Sequence, residues 1–175
     1  VTKNLLLTGP PGSGKSALIR RLSDVFKEFN PAGFYVTEIK DNDQVTGFII
    51  STLNGDSKLL AHINMKSKYT VGKYHVDIKG FELFLDTLFP REKKTGLFFV
   101  DEIGKFECLS KKFSKLIIEL LDSEKPVIAS IAEKGTGIIS DIKKRSDVSI
   151  IEVSPYNIDL KLKELTMDLR DLLLE

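Results

Sequence analysis

Apolar positions along the chain alternate between two periods. Leu5-Leu6-Leu7 is a short unbroken apolar run, as expected of a strand buried on both faces. The spacing then changes: Leu18, Leu22, Val25, Phe26 and Phe29 predict a helix from Lys15 to about Phe29, ended by Asn30-Pro31. Strand-like runs at 33–39 and 45–51, joined by the polar turn 41–44, predict a β-hairpin. A further apolar run, Leu59-Leu60-Ala61, follows the turn Asn54-Gly55-Asp56. Residues 63–73 are polar and irregular, 74–78 read as a short strand, and Phe81, Leu85 and Leu88 give a helical period. Residues 90–96 read as a charged surface loop.

The second half repeats the alternation. Leu97-Phe98-Phe99-Val100 is an apolar strand closed by Asp101-Glu102. Ser110 is placed to cap a helix carrying Phe113, Leu116, Ile117 and Leu120. A strand at 126–131, a helix near 136–145 and a strand at 148–153 follow. Ser154 as N-cap and Pro155 at the first helical position open the last helix, whose stripe is Ile158, Leu162, Leu165, Leu169 and Leu172. Strands alternating with helices predict an α/β fold: a mostly parallel central sheet with helices on both faces. Residues 33–62 are expected to form an antiparallel addition at one edge. No repeat or linker divides the chain, so residues 1–175 read as one domain.

Between the first strand and the first helix lies Gly9-Pro10-Pro11-Gly12-Ser13-Gly14-Lys15-Ser16, which matches G-x-x-x-x-G-K-[ST], the Walker A pattern, at every fixed position. Backbone N–H groups of such a loop form a concave nest for a polyphosphate, and the positive end of the following helix points the same way. Lys15 is a point charge for the β- and γ-phosphates, and Ser16 offers Mg²⁺ a hard oxygen ligand. The phosphate-binding stretch is Gly9 to Ala17.

In parallel sheets of this kind ligands sit at the carboxyl ends of the strands, which brings Asp101 and Glu102 to the edge that carries the P-loop. Asp101 fits the Walker B acid that holds Mg²⁺ with Ser16. Successive strand residues point to opposite sides, so Glu102 has a separate role as the carboxylate that orients and deprotonates water. Lys15, Asp101 and Glu102 are therefore the expected catalytic set. Ser130 ends another apolar strand on this edge, with hydrogen bonding to water or γ-phosphate and a plain strand-end role both open.

Composition narrows the function classes. The 175 residues hold 26 Lys plus Arg against 25 Asp plus Glu, which makes no global electrostatic case for nucleic acid or an anionic membrane. Cys108 is the single cysteine, so an internal disulfide and a cysteine-based metal site are excluded. No apolar run approaches membrane-spanning length, and no basic n-region precedes the first strand; the expected location is cytoplasmic. His62 and His75 lack metal-like spacing. The lysines of 63–73 read as a solvated face. No apolar stripe is left unexplained, and a monomer is expected.

With these residues placed, the chain resembles the small P-loop nucleoside-triphosphatases shared by thermophilic bacteria, archaea and animals. The resemblance rests on the P-loop, Gly33-Phe34-Tyr35 through Glu38, Gly47-Phe48, Val71-Gly72-Lys73-Tyr74 with Val76-Asp77, and Asp101-Glu102-Ile103-Gly104-Lys105, in order over nearly the whole length. It implies a P-loop NTPase fold and Mg²⁺-dependent, slow and base-tolerant hydrolysis of ATP, GTP, CTP and UTP to diphosphate and phosphate. It also implies that Phe98, Phe99, Val100, Asp101, Glu102, Ile103, Gly104 and Lys105 line the nucleotide site. Arg145 matches a family arginine with two readings, a γ-phosphate contact or a surface ion pair. Glu38 reads as a strand-end acid near Mg²⁺ or a lysine partner, and Lys105 as a nucleotide contact or a partner of Glu102 or Glu107. Near Pro155 relatives usually show Glu-Asn-Arg where this chain has Tyr156-Asn157-Ile158; Asn157 keeps an amide for the base and Tyr156 a ring that can stack on it.

Two other classes compete. A kinase passing the γ-phosphate to a small molecule or nucleotide would need an arginine-rich lid, whereas Arg20, Arg21, Arg91, Arg145 and Arg170 are not clustered as one. A nucleotide-dependent regulatory or RNA-binding module would typically carry Asn-Lys-x-Asp or a Leu-Ser-Gly-Gly-like signature, which the sequence lacks, or a basic aromatic groove, against which the neutral charge balance speaks.

Overall fold

A computed structural model describes residues 2–88 and 94–175; residues 90–93 of the expected charged loop lie outside them. Among the described residues, nine strands form one sheet in the order β5-β6-β4-β3-β2-β7-β8-β1-β9. Five are parallel: β2 (Ala32–Asp41), β7 (Phe98–Ile103), β8 (Val127–Ile131), β1 (Asn4–Thr8) and β9 (Val148–Glu152). β3 (Gln44–Thr52), β4 (Ser57–His62), β6 (Tyr74–Val76) and β5 (Thr70–Val71) extend it antiparallel. The edge addition therefore begins at β3 and not at 33. β2 has a double role, paired antiparallel to β3 along its length and parallel to β7 through Ala32, Gly33 and Phe34.

Alternation along the buried strands sorts side chains into two cores. Leu5 and Leu7 of β1, Phe99 of β7 and Ile128 of β8 face α1 (Lys15–Val25) and α5 (Ile158–Leu174). Leu6, Val100 and Ala129 face the opposite way, where α2 (Ile78–Leu88), α3 (Lys111–Asp122) and α4 (Ile138–Lys143) cover the sheet. Helices thus lie on both faces, and the α5 stripe packs into the first core through buried Leu165 and Leu169. Ser110 caps α3 as expected, its Oγ accepting the Phe113 N–H at 3.0 Å.

Two helix ends differ from the sequence reading. α1 stops at Val25, and a 3₁₀ turn over Lys27–Phe29 follows, which sets the Phe29 ring 5.9 Å from that of buried Phe26. α5 starts at Ile158 rather than at Pro155. Residues 154–157 form a turn closed by the Asn157 N–H to the Ser154 carbonyl at 3.2 Å. The Asn157 side chain locks it, accepting the Ser154 N–H at 2.9 Å and donating to the Glu152 carbonyl at 3.2 Å.

Arg145 lies just before β9, at the amino edge of the parallel strands, where Val148 pairs with Asn4. Its guanidinium donates at 2.7 Å to both Asp122 and Asp147, and Asn4 reaches Asp147 from β1 at 3.2 Å. The P-loop leaves β1 at its other end, roughly 15 Å away along the strand. Of the two readings of Arg145, the ion pair holds.

One carboxyl is taken into the interior. Glu107, in a 3₁₀ turn after β7, is only 2% exposed and its Oε2 has no hydrogen-bond partner. Burial, and then the neighbouring Glu102 charge, push its pKa well above the ordinary range. Cys108 beside it packs half-buried against the core, its thiol pushed up to about 12 by burial.

Two consequences are measurable. Gly33 meets β7 so closely that a Cβ would lie 1.7 Å from the Phe99 carbonyl oxygen, and its φ is +146°. Gly33→Ala is expected to destabilise the fold by about 3 kcal/mol or more, read as a lowered denaturation midpoint. Glu107 has a raised folded pKa, so the folded state binds more protons than the unfolded chain and stability falls as pH rises above the unfolded value. Glu107→Gln is therefore expected to melt above the parent at pH 8, with the gap closing towards pH 4.

Candidate active site

The loop 9–14 turns the chain from β1 into α1. Its glycines respond to close neighbours: a Cβ on Gly9 would lie 2.5 Å from the Val153 carbonyl oxygen, and one on Gly14, at φ +97°, would lie 2.6 Å from Ile158 Cδ1. The β9–α5 turn therefore buttresses the loop from one side. Ser13, 2% exposed, closes the loop by donating its N–H to the Pro10 carbonyl at 3.1 Å. Lys15 opens α1 with its ammonium folded over the loop, donating to the carbonyls of Gly9 and Pro10. These are contacts that an anion seated in the loop would replace.

On the other side of β1, β8 and then β7 end at the same edge. Asp101 continues the α1-facing row of Phe99 and is 4% exposed. Its Oδ1 accepts the Ser130 hydroxyl at 2.7 Å, while Oδ2 is buried without a hydrogen-bond partner. Burial raises the Asp101 pKa; the hydroxyls of Ser130 and Ser16, the Val36 backbone and the Arg20 charge oppose the rise. Ser130 is fully buried and its hydroxyl is given to Asp101, a role that neither of its two readings assigned it.

Glu102 is half-buried beside it. Burial and the Asp101 charge raise its pKa, and the Lys15 ammonium lowers it, so the end of β7 and the P-loop form one electrostatic unit. Gly104 makes room: a Cβ there would lie 2.5 Å from Glu102 Oε1. Lys15, Ser16, Asp101 and Glu102 are thus brought together by two separate segments, the start of α1 and the end of β7.

Other expected residues fall elsewhere. Phe99, Val100 and Ile103 are buried in the cores and Phe98 is half-buried against one, so their side chains support β7 rather than line a pocket. Lys105 is exposed and, among the described residues, forms no ion pair. Glu38 lies 3.8 Å from Lys40, in line with its reading as a lysine partner. Asn157 flanks the P-loop, but its amide is spent on the turn, while Tyr156 is 99% exposed at the same place. His75 Nδ1 lies 2.8 Å from the Ser67 carbonyl oxygen, and His62 Nδ1 accepts the Asn64 N–H at 3.1 Å.

The sequence reading weighed Arg20 only as a lid arginine and Glu107 only as an ion-pair partner. The spacing of Arg20 from Ser16, i to i+4, was the available signal, since it puts both on one helix face. Glu107 had no such signal, because its burial depends on α2 and α3 closing over the turn after β7.

Known proteins resemble this chain in sequence and fold. The profile of a family described as NTPase matches residues 4–166. The nucleoside-triphosphatase THEP1 of Thermotoga maritima is 40% identical over 162 residues, covering 92% of each chain. The human cancer-related nucleoside-triphosphatase is 30% identical, covering 90% of this chain and 91% of its own. The crystal structure of THEP1 from the hyperthermophile Aquifex aeolicus superposes with a TM-score of 0.85 at 28% identity, covering 95% of this chain and 98% of that one. Matched in sequence along its length and in the fold that frames its P-loop, the chain belongs to this NTPase family.

Proposed function

We propose that this chain hydrolyses nucleoside triphosphates to diphosphate and phosphate in a Mg²⁺-dependent reaction, with Glu102 activating the attacking water. The observation that carries this reading is the convergence of a complete P-loop with two strand-end carboxylates of unequal environment. Asp101 is held rigidly by Ser130 with one oxygen free. Glu102 is half-buried within the field of Lys15.

The donor set fits Mg²⁺. Ser16 and Asp101 supply hard oxygens, and Asp101 Oδ2 is a buried acceptor with no protein partner. The ion's remaining ligands would come from phosphates and water, as is usual for Mg²⁺. When bound, the ion neutralises charge on the β- and γ-phosphate oxygens.

The chain's own residues do the rest. Backbone N–H groups from Gly9 to Ala17 hold the phosphates, and the positive end of α1 favours their charge. Lys15 leaves the loop carbonyls for the γ-phosphate. Glu102 takes a proton from water, whose oxygen attacks the γ-phosphorus as the bond to the β-phosphate oxygen breaks. Its raised pKa favours retaining that proton. This reading assigns the nucleoside to the β9 side of the P-loop, away from the acids, where among the described residues the exposed turn at 154–157 flanks the loop; that openness suits ATP, GTP, CTP and UTP alike. A monomer is part of the same proposal.

Phosphate release from ATP, GTP, CTP and UTP with Mg²⁺ and no acceptor is the direct test. We expect release from several of them, reduced about 10²–10⁴-fold in Glu102→Gln with nucleotide binding retained. Binding without release in the parent protein would instead favour phosphoryl transfer to an acceptor. Asp101→Asn is expected to lose the Mg²⁺-dependent part of triphosphate affinity while keeping the metal-free part, as read by titration calorimetry with and without chelator.

A further inference from the structure

The polar lane between α1 and the sheet does not end at Asp101. From β8 it runs buried through Ser130 to Asp101 on β7 and then opens to solvent at the α1-facing residues of β2, half-buried Tyr35 and exposed Thr37. Arg20 occupies that last position. Its guanidinium sits 4.4 Å from the Tyr35 ring centroid and donates to Thr37 Oγ1 at 3.2 Å. The charge is close enough to be felt at the Asp101 carboxyl.

Helix geometry aims this side chain at the phosphates. Arg20 follows Ser16 by four residues, so the two share a face of α1 about 6 Å apart along the axis. Side chains on a helix lean towards its amino end, here the P-loop. An extended arginine spans that one turn. Its present holders are weak ones: a cation–π contact at an exposed position stabilises much less than a charge-assisted pair with a phosphate oxygen.

The remaining arginines are committed or distant. Arg145 is fixed at the opposite edge of the sheet by Asp122 and Asp147. Arg21 is paired with Asp159 at 3.1 Å. Arg170 lies twelve residues beyond the start of α5, about 18 Å along that helix from the turn that touches Gly14. Among the described residues, Arg20 is the arginine at the carboxyl edge beside Asp101.

We propose that Arg20 is a catalytic residue of this site: on triphosphate binding its guanidinium leaves Tyr35 and Thr37 and donates to the γ-phosphoryl oxygens from the β2 side, opposite Lys15. It exchanges no proton. It stabilises the charge that spreads over those oxygens as the water oxygen–phosphorus bond forms, the bond to the β-phosphate oxygen breaks and the water proton passes to Glu102. The assignment rests on the hydrolytic reading of the P-loop given above.

The test separates γ-phosphate recognition from the structural tie that Arg20 makes between α1 and β2. Steady-state hydrolysis, calorimetric binding of Mg·ATP and Mg·ADP, and thermal melting are measured for the parent, Arg20→Ala and Arg20→Lys. We expect kcat/KM for ATP to fall about 10²–10³-fold in Arg20→Ala. ATP affinity should weaken about tenfold while ADP affinity, which involves no γ-phosphate, is unchanged. Arg20→Lys should recover part of both losses, because it returns the charge without the planar fork. Equal weakening of ATP and ADP, or unchanged hydrolysis despite a lowered melting temperature, would overturn the proposal and leave Arg20 a packing residue. If the parent binds Mg·ATP but releases no phosphate, the hydrolytic reading fails separately. The ATP-over-ADP preference then decides for Arg20: its loss in Arg20→Ala supports the contact, and its persistence overturns it.

Discussion

A carboxyl group near the end of a largely buried strand is the constraint on which this structure depends. Asp101 continues Phe99 and Val100 out of the core with almost no exposure to water. Ionising a carboxyl there is unfavourable unless neighbours replace the lost hydration. They come from separate elements: the Ser130 hydroxyl of β8, the Ser16 hydroxyl of α1 and the backbone at Val36 of β2. One oxygen is still left without a partner. One acceptor oxygen is immobilised and the other is buried without a protein partner, the feature on which the proposed cation role of Asp101 rests.

Sheet order distributes the work. β1 lies between β8 and β9, so the P-loop has the acid-bearing strands on one side and the β9–α5 turn on the other. That turn touches the loop at Gly9 and Gly14, where side chains would collide with Val153 and Ile158. The opposite edge carries Arg145, Asp147, Asp122 and Asn4, an ion-pair and hydrogen-bond knot that ties β9 to α3 and β1. Chemistry is gathered at the carboxyl ends of the strands and stapling at their amino ends. The same residue type, arginine, has different work at each edge.

The addition β3–β6 supports the site from further out. Phe48 of β3 and Tyr74 of β6 stack with Phe106, with centroids 4.8 and 5.9 Å from it. Phe106 follows the Asp101–Lys105 segment directly, so an aromatic cluster anchors the far end of the stretch that carries both acids. Glu107, next in sequence, is drawn into the core behind Glu102. Its proximity adds a third carboxyl to the Asp101–Glu102 pair, and burial keeps that third group from adding another full charge.

Local pattern alone determined the alternation of strands and helices, the P-loop and its place between β1 and α1, the Ser110 cap, and the arrival of Asp101 and Glu102 at a strand end, because each depends on residues a few positions apart. Propensity and periodicity also placed the α5 stripe, although the start of that helix was set by the Asn157 side chain turning back onto its own backbone. What required tertiary structure were facts about distance across the sheet. Arg145 and the P-loop lie at opposite edges because β9 runs parallel to β1; Ser130 faces Asp101 because β8 is the neighbour of β7; Arg20 reaches the site because β2 joins the parallel core at Ala32–Phe34. Strand order is decided by long-range pairing energies, in which a residue's partner is separated from it by a hundred positions or so, and a one-dimensional pattern of apolar spacing carries no record of that choice.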